Sequence, residues 1–438
     1  MDRTDVIDRL AGGGHIVDLT ALLLRYCRTH HDALRERLWI AADQRRHASI
    51  VARAAAILAP LGSLATAEHA PGAWTPTESI DATTGRALAL LADDAVAIHA
   101  IATALDDHAH AAFFGRFDDT RTRLRPGDPF PVPAPEAARD LFGPHLTAQP
   151  DRQDDRVDHT AHLRLLAADH GFYVVLDGRV RLPPPSAGRL IAVAVPSTEL
   201  PIDASHAWTT DAAAHRFRDV QPADPEAQWQ RIAALLARAE HHGAWAVVLP
   251  ELALTEPMVA RIEAWLATAR RVALVAAGSY HTSTGGARRR NIAPIVARDR
   301  RVRSHAKVFP FVNGGQIEDI RPGRRMTIWT ARRWSFAALV CRDLLSTRVV
   351  PLLEDLRVRL VFAPAFSPRT AELETMARYL AVRAQGAVIV ANTPHAEGDP
   401  VAWLAQPLSV ADAPVLRRDG SPHLILFTLG QTSWIYGQ

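Results

Sequence analysis

WSFAALVCRDLLS, residues 334–346, is the stretch that most directly predicts the fold and the chemistry of this chain. Residues 336–340 form a short apolar run, which is typical of a buried β-strand. The run ends at Cys341, and a charged Arg342-Asp343 pair follows. A lone cysteine at a strand end is more often a small buried side chain than a reactive one. A strand that delivers a cysteine to a polar end nevertheless suits a nucleophile, because the backbone fixes the sulfur while one side stays open.

Two other strand ends carry distinctive side chains and favour the nucleophile. Lys307, in SHAKVFPF at residues 304–311, is the only lysine in a chain whose other basic residues are arginine. A single retained lysine indicates a position where a compact ammonium is needed and a guanidinium does not fit. Glu251 follows the apolar run at residues 244–249 and has apolar neighbours, which predicts a partly buried base with a raised pKa. The three side chains supply a base, an oxyanion donor and a nucleophile for attack on a carbonyl or nitrile carbon.

The same segments resemble a known family. PEL at residues 250–252, the run from Asn291 to Lys307 and VCRD at residues 340–343 resemble the three signature motifs of the nitrilase superfamily, the carbon–nitrogen hydrolases. Intervening segments from RLIAVAVPST, residues 189–198, to the strand that ends at Asn392 resemble the family's elements in order. Alternating strand and helix patterns from residue 189 onward also favour an α/β domain. The resemblance implies a four-layer αββα sandwich for residues 188–438.

The resemblance also implies a Glu251–Lys307–Cys341 triad that cleaves an amide. Glu251 would take the proton from Cys341, and Lys307 with the backbone N–H after Cys341 would stabilise the oxyanion. Glu251 would then protonate the leaving amine and activate the water that hydrolyses the thioester. We expect Lys307 to favour the thiolate form of Cys341 as well.

Three further residues are candidates for auxiliary or substrate-binding roles: Glu318, Arg342 and Asn392. Many family members carry a second glutamate six residues before a Pro-Gly pair. Gln316 lies six residues before Pro322-Gly323 and Glu318 lies four before it, and we favour Glu318. Arg342 would bind a substrate carboxylate or pair with Asp343. Because Arg342 stands where nitrile-hydrolysing members usually have tryptophan, an amide or carbamoyl substrate is favoured over a nitrile.

The part of the chain before residue 188 has a different character. Residues 1–145 are rich in Ala, Leu and Arg at helical spacing, which predicts a mainly helical N-terminal domain of unknown role. Residues 146–187 predict a junction with a β-hairpin about Asp177-Gly178, a dipeptide suited to a type I′ turn. Residues 106–110, with Asp118-Asp119 nearby, contain metal-ligand types, but solvated helix faces and loops explain them better. We predict neither a metal nor a cofactor.

The composition is that of an ordinary globular protein, with 48% hydrophobic and 22% charged residues. A formal net charge of +3 gives little support to nucleic-acid binding. The two cysteines, Cys27 and Cys341, argue against a disulfide framework and favour a reducing cytoplasm. The most apolar stretch, residues 86–105, carries Asp93 and Asp94 and predicts a buried helix, so we expect no membrane association.

Three functions remain open. The first is a cysteine-dependent hydrolase of a small amide or carbamoyl compound. The second is a regulated effector, in which the helical domain senses a protein partner and gates the hydrolase domain. The third is an inactive nitrilase-like scaffold, which the intact triad disfavours. Family members commonly pair through the helix after the cysteine, and the apolar residues 344–356 therefore predict a homodimer or a larger assembly.

Overall fold

The computed structural model divides the chain into two compact units. It describes residues 1–61, 79–115, 117, 119–133, 141–142, 157, 159–167, 171–196, 205–282, 289–299, 302–313, 315–331, 334–395, 398–407, 415–416, 423–430 and 434–437. The first unit comprises Met1–Pro135, Ala148–Asp169 and Val175–Arg179. The second unit comprises Glu136–Thr147, His170–Val174 and Val180–Gln438.

The units do not follow the predicted boundaries at residues 145 and 187. Leu141 and Phe142 are buried in the main core cluster of the second unit, although they precede the first predicted boundary. A core contact between segments distant in sequence leaves no local composition signal, so it could not be predicted from residues 141–142 alone. Leu141 and Phe142 therefore belong with the later residues.

Helices supply most of the buried side chains of the first unit. Its core cluster joins aliphatic side chains such as Leu23, Ile98 and Leu105. The helices are α1 (Arg3–Ala11), α2 (Ile16–Thr29), α3 (His31–Leu38), α4 (Ala41–Leu58), α5 (Ala82–Ala89) and α6 (Ala95–Gly115). The strands that accompany them are β1 (Gly14–His15), β2 (Ser79–Ile80), β3 (Arg121–Leu124), β4 (Pro129–Pro131) and β5 (Leu163–Leu165).

The predicted β-hairpin about Asp177-Gly178 is wrong. Strand β6 (Tyr173–Asp177) ends at this dipeptide, and residues 179–182 form no strand. Strand β6 pairs with β3, and the Gly178 N–H donates to the Thr120 carbonyl over 2.9 Å. The Asp177 carboxylate instead accepts bonds of 2.8 and 2.7 Å from the Arg179 guanidinium. The distant strand β3 therefore pairs with β6, whereas the residues that follow Asp177-Gly178 were predicted to do so.

Two large sheets form the centre of the second unit. The first has the order β12-β13-β11-β10-β7-β23-β24, with β14 paired to β13, and the second has the order β22-β21-β20-β19-β18-β17 within this unit. A smaller sheet has the order β15-β16-β9-β8. The strands are β7 (Leu190–Val195), β8 (His206–Asp211), β9 (Arg216–Pro222), β10 (Ala246–Val248), β11 (Leu274–Ala276), β12 (Tyr280–His281), β13 (Asn291–Ala297), β14 (Val302–Ala306), β15 (Val312–Asn313), β16 (Gln316–Glu318), β17 (Arg325–Ala331), β18 (Trp334–Ala338), β19 (Leu360–Ala365), β20 (Ala387–Asn392), β21 (Pro400–Ala405), β22 (Val415–Leu416), β23 (His423–Thr428) and β24 (Trp434–Gly437).

The two large sheets face each other, and helices cover the first from outside. Val193 of β7 and Phe336 of β18 lie in one buried cluster between the sheets. Because successive strand side chains point to opposite faces, Val247 of β10 lies in a second cluster with Ile232 and Met258. The helices are α7 (Pro225–His242), α8 (Glu256–Leu266), α9 (Val349–Asp355) and α10 (Thr370–Ala384). The mixed α/β content agrees with the predicted class.

Helix α9 turns its apolar residues inward. Val349, Leu352 and Leu353 have no exposed surface. The homodimer was predicted from the apolar residues 344–356. These three side chains pack inside the unit, and the homodimer stays a prediction. Over the described ranges, the chain has no helix with the length and apolarity that a membrane crossing requires.

Candidate active site

The three residues of the predicted triad lie together at strand ends of the second unit. Glu251 follows β10, Lys307 follows β14 directly, and Cys341 opens a short 3₁₀ turn, Cys341–Leu345, after β18. Their exposed fractions are only 1%, 1% and 3%. Lys307 Nζ donates to Glu251 Oε1 over 2.8 Å, and the charges of both groups act on the pKa of the Cys341 thiol. The base is therefore bonded to the ammonium and lies close to the thiol.

Backbone and side-chain bonds fix the turn that carries Glu251. The Glu251 N–H donates to the Ala365 carbonyl over 3.2 Å, and Thr393 Oγ1 donates to the Glu251 carbonyl over 3.3 Å. Leu252 has a left-handed φ of 59°, and its N–H donates to Ser279 Oγ over 3.0 Å. These bonds tie the carboxylate to neighbouring strand ends, so its position does not depend on its own ion pair alone.

A hairpin of two strands precedes Lys307. Strands β13 and β14 pair antiparallel, with Ile292 opposite Ala306. The Lys307 N–H donates to the Asn291 carbonyl over 2.9 Å, which extends the hairpin to the lysine itself. The Lys307 side chain then passes into the buried site.

Glu318, and not Gln316, contacts the lysine. Lys307 Nζ donates to Glu318 Oε2 over 2.7 Å, whereas Gln316 pairs with Asn313 at the half-buried end of its strand. The Phe311 N–H donates to the same Oε2 over 2.9 Å. The spacing to Pro322-Gly323 is therefore shorter here than in the family pattern, and the carboxylate still reaches the site.

Two side chains that the sequence did not single out complete the surroundings of Glu318. Asn291 Nδ2 donates to Glu318 Oε1 over 2.9 Å and to Glu251 Oε1 over 2.8 Å, and it bridges the two carboxylates. His281 Nε2 lies 3.0 Å from Glu318 Oε1, and its Nδ1 accepts the Val220 N–H over 3.2 Å. Because Nδ1 accepts, Nε2 carries the hydrogen and donates to Glu318. The signal that could have identified Asn291 and His281 as site residues is a polar side chain at a buried strand position.

Burial and charge set the ionisation of the site. Burial raises the pKa of Glu251, although the neighbouring ammonium of Lys307 opposes the shift. Burial alone would raise the pKa of Glu318 too, but Lys307 and His281 outweigh it and hold that pKa well below its ordinary value. Burial alone would lower the pKa of Lys307, and the two carboxylates outweigh it and raise that pKa. Lys307 and Glu318 therefore form a permanent ion pair, whereas Glu251 is the carboxylate suited to exchange a proton.

Cys341 is held as a thiol in a strained backbone conformation. Its φ of 49° lies in the left-handed region that side chains other than glycine rarely adopt, a feature common at active sites. Burial raises the pKa of the thiol, the charge of Glu251 raises it further, and Lys307 opposes both. Lys307 thus favours the thiolate, as expected, but desolvation and the nearby carboxylate outweigh the lysine and leave the pKa of the thiol raised.

Asp343 is a buried residue of the site that the sequence did not single out. Its Oδ1 accepts the Val308 and Phe309 N–H groups over 3.0 and 2.9 Å. Its Oδ2 lies 2.8 Å from His305 Nε2 and accepts the Val340 N–H over 3.3 Å. Since Asp343 has no exposed surface, one carboxylate ties the turn of Cys341 to the residues that follow Lys307.

The side chains of the other two candidate residues bond to groups outside the triad. Arg342 is exposed and donates to the Pro310 carbonyl over 3.0 Å, so the alternative of a pair with Asp343 is wrong. Asn392 is fully buried, and its Nδ2 donates to the Ser367 and Pro400 carbonyls over 3.1 and 2.9 Å. Asn392 Nδ2 thus bonds the end of β20 to Ser367 and to the first residue of β21, and its auxiliary or substrate-binding role stays a prediction.

One group of metal-ligand types comes together in the first unit. Ligand atoms of Asp106, Asp107 and His162 lie within 4.8 Å of one another. Asp106 has no exposed surface, and its Oδ2 accepts the His162 N–H over 2.9 Å, so the prediction of a solvated face is wrong at this residue. Burial raises the pKa of Asp106, which favours the neutral acid over a metal ligand. The predicted stretch also includes Asp118 and the side chain of His110, which lie outside the described residues.

Comparisons of the sequence with family models and with curated proteins give no match. Solved structures give matches over part of the chain. A cysteine-to-alanine mutant of the Nesterenkonia AN1 amidase from the nitrilase superfamily is 19% identical over 57% of this chain and 93% of its own, with a TM-score of 0.42. The glutamine-dependent NAD⁺ synthetase from Acinetobacter baumannii is 13% identical over 57% of this chain and 48% of its own, with a TM-score of 0.41. The chain is thus similar over 57% of its length to amidases of the nitrilase superfamily.

Proposed function

We propose that the second unit hydrolyses a non-peptide carbon–nitrogen bond of a small amide or carbamoyl compound through a thioester on Cys341. Its layers would correspond to the αββα sandwich of the nitrilase superfamily. The observation that carries the proposal is the burial of a carboxylate, an ammonium and a thiol together at strand ends. Glu251 Oε1 lies 2.8 Å from Lys307 Nζ, and the charges of both act on the pKa of the buried Cys341 thiol.

In the first half of the reaction, Glu251 acts as a general base. It takes the thiol proton as the sulfur of Cys341 forms a bond to the carbonyl carbon, and the carbonyl oxygen becomes an oxyanion. The Lys307 ammonium and the Arg342 N–H stabilise that oxyanion. When the tetrahedral intermediate collapses, the carbon–nitrogen bond breaks, Glu251 returns its proton to the nitrogen, and ammonia or an amine leaves.

In the second half, water replaces the amine. Glu251 takes a proton from water as the water oxygen attacks the thioester carbon, and Lys307 stabilises the second oxyanion. The carbon–sulfur bond breaks, Cys341 regains a proton from Glu251, and the carboxylic or carbamic acid leaves. Each half-reaction returns Glu251 to its starting state, and its raised pKa suits both proton transfers.

Glu318 serves this mechanism as a positioning residue. Its lowered pKa keeps it ionised, and its bond to Lys307 Nζ fixes the ammonium at 2.7 Å. The lysine charge is thus balanced before any substrate binds. Glu251 can then gain and lose a proton without changing the state of the ion pair beside it.

A panel of aliphatic amides and carbamoyl compounds tests the proposal, with ammonia release as the signal. We expect the full-length chain to release ammonia from members of the panel and Cys341→Ala to release none. Mass spectrometry should find the acyl group on Cys341. The matched control is Cys27→Ala, which removes the other buried cysteine, in the first unit. Release that persists in Cys341→Ala, or an acyl group on another residue, contradicts the proposed mechanism.

The regulated effector remains the second candidate, and one observation favours it. The first unit has a hydrophobic core of its own, which the chemistry of the triad does not require. A strictly gated hydrolase would show no activity without its protein partner. Release of ammonia by the purified chain alone at an ordinary enzymatic rate, about 1–1,000 per second, would exclude strict gating. The inactive scaffold predicts no acyl adduct at all.

A further inference from the structure

A cavity rimmed by arginine lies in the second unit, outside the catalytic cluster. Its volume is about 180 Å³. Four arginines and no carboxylate line it, and the full lining is Arg290, Ala306, Arg321, Pro322, Gly323, Arg324 and Arg325. This concentration of one charge at one concave site differs from the rest of a chain whose formal net charge is only +3.

Three of the four arginines at this cavity are not neutralised by acids of the described residues. Within the described part of the chain, the guanidinium groups of Arg290, Arg321 and Arg324 take part in no ion pair. Asp319, close in sequence, is engaged by Arg216 at 3.1 Å, and Asp219 is engaged by Arg289. Clustered like charges without counter-ions repel one another, and an anion would relieve that repulsion.

The backbone builds the floor of the cavity rigidly. The Gly323 N–H donates to the Lys307 carbonyl over 2.7 Å, and the Arg321 N–H donates to the Arg289 carbonyl over 2.6 Å. A Cβ at Gly323 would lie 2.2 Å from the Ala306 carbonyl oxygen, so only glycine permits this approach. The arginines therefore project from a fixed backbone, which reduces the entropy that binding has to overcome.

We propose that this cavity binds the phosphate group of a phosphorylated small molecule. The planar guanidinium presents paired N–H donors that match phosphate oxygens, and several arginines at one site favour an anion of more than one charge. The volume is below the roughly 300–1,000 Å³ of pockets that enclose a whole small molecule. The site therefore holds the phosphate, and the rest of the ligand extends into solvent.

The phosphate site and the amide site lie on opposite sides of the β13–β14 hairpin. Asn291 and Lys307 point into the catalytic cluster, whereas the adjacent residues Arg290 and Ala306 line the cavity. This alternation follows from the two-residue period of a strand. The catalytic residues themselves do not line the cavity, so binding there is separate from amide binding.

Isothermal titration calorimetry on the full-length chain tests the proposal. The probes are inorganic phosphate, adenosine monophosphate and uncharged adenosine, at one ionic strength set with chloride. The variant is Arg321→Ala/Arg324→Ala, and the control is Arg270→Ala, an exposed arginine of the same unit outside the cavity. Thermal unfolding without ligand checks that each variant is folded, and Arg290→Gln replaces the double variant if that one is not.

We expect both phosphates to bind the wild type and adenosine not to bind. The double variant should bind at least about tenfold more weakly, since each lost charge-assisted bond is worth about that factor or more, and Arg270→Ala should bind as the wild type does. Tighter binding of adenosine monophosphate than of phosphate identifies a phosphate ester as the ligand, and equal binding identifies free phosphate. Absence of phosphate binding at millimolar concentration, unchanged binding by the double variant, or equal binding of adenosine overturns the proposal.

Discussion

Replacing Glu318 by glutamine tests whether the second carboxylate is a structural anchor. Both of its oxygens face donors only: Lys307 Nζ and the Phe311 N–H at Oε2, Asn291 Nδ2 and His281 Nε2 at Oε1. A glutamine amide has one acceptor oxygen and one donor nitrogen. Whichever way it is turned, its NH₂ group meets two donors and two bonds are lost.

The expected cost follows from these contacts. Two lost charge-assisted bonds at about 1.5–3 kcal/mol each give about 3–6 kcal/mol, and breaking a buried ion pair by neutralising one partner typically costs about 3–5 kcal/mol. We therefore expect Glu318→Gln to lower the free energy of unfolding by about 3–5 kcal/mol. With a urea m-value near the upper end of its usual range, about 3 kcal/mol/M, the midpoint should fall by about 1–1.7 M.

Urea denaturation at pH 7 followed by tryptophan fluorescence measures this change. Glu251→Gln is the matched control, because its bonds to Lys307 Nζ and Asn291 Nδ2 both use Oε1, and a glutamine carbonyl can keep them. We expect that control to lose less than about 2 kcal/mol. Equal midpoints for the two variants would refute the distinction between an anchoring and a reacting carboxylate.

The same variants give a second readout through pH. The pKa of Glu318 is lowered in the folded chain, so its stabilisation is present above the ordinary value of 4.5 and is lost as the pH falls through the lowered pKa. The stability difference between wild type and Glu318→Gln should therefore shrink as the pH falls below that ordinary value. A difference that stays constant down to low pH would mean that Glu318 is not held ionised by its partners.

Two further predictions concern Cys341 and Asp343. Iodoacetamide alkylation of Cys341, followed by mass spectrometry across the pH range with buried Cys27 as internal reference, should be slow at pH 7 and accelerate with rising pH, because burial and Glu251 raise the thiol pKa. Glu251→Gln should move this profile to lower pH and Lys307→Met to higher pH, and shifts in the same direction would contradict the electrostatic account. Asp343→Asn should lower the free energy of unfolding by about 2–3 kcal/mol in urea denaturation, since an amide cannot accept at both oxygens. Arg342→Ala, the exposed neighbour, should change it by less than about 0.5 kcal/mol, and equal losses would mean that the Asp343 contacts are not needed.

The strands and the three catalytic candidates could be predicted because their signals are local. The apolar runs at residues 244–249 and 336–340 each end at a residue whose chemistry stands out, and the only lysine follows a hairpin with a clear strand pattern. The motif resemblance added the order of these segments. No long-range information was needed to place Glu251, Lys307 and Cys341 at strand ends.

The rest of the site depends on pairings that one sequence does not display. His281 and Asn291 meet Glu318 because β12 and β13 pair, with His281 opposite Asn291. The choice between Gln316 and Glu318 depended on the length of the loop before Pro322-Gly323. The spacing of residues in the sequence does not determine which of the two side chains reaches the site. The hairpin at Asp177-Gly178 failed for the same reason, since the distant strand β3 competes for the edge of β6 and local turn propensity does not include that competitor.

The protonation state of Cys341 follows from counting the charges around it. With Glu318 ionised and Lys307 cationic, the ion pair is neutral, and an ionised Glu251 leaves one net negative charge in a site whose members are nearly inaccessible to water. A resting thiolate would add a second buried negative charge, which low dielectric surroundings strongly disfavour. In the proposed reaction the thiol proton moves to Glu251, so the net charge of the site stays the same, and the negative charge of the carboxylate is transferred through the sulfur to a substrate oxygen near Lys307. Reactivity at Cys341 is then conditional on a bound electrophile that can place an oxyanion beside the lysine, which a carbonyl does and a simple alkylating agent does not.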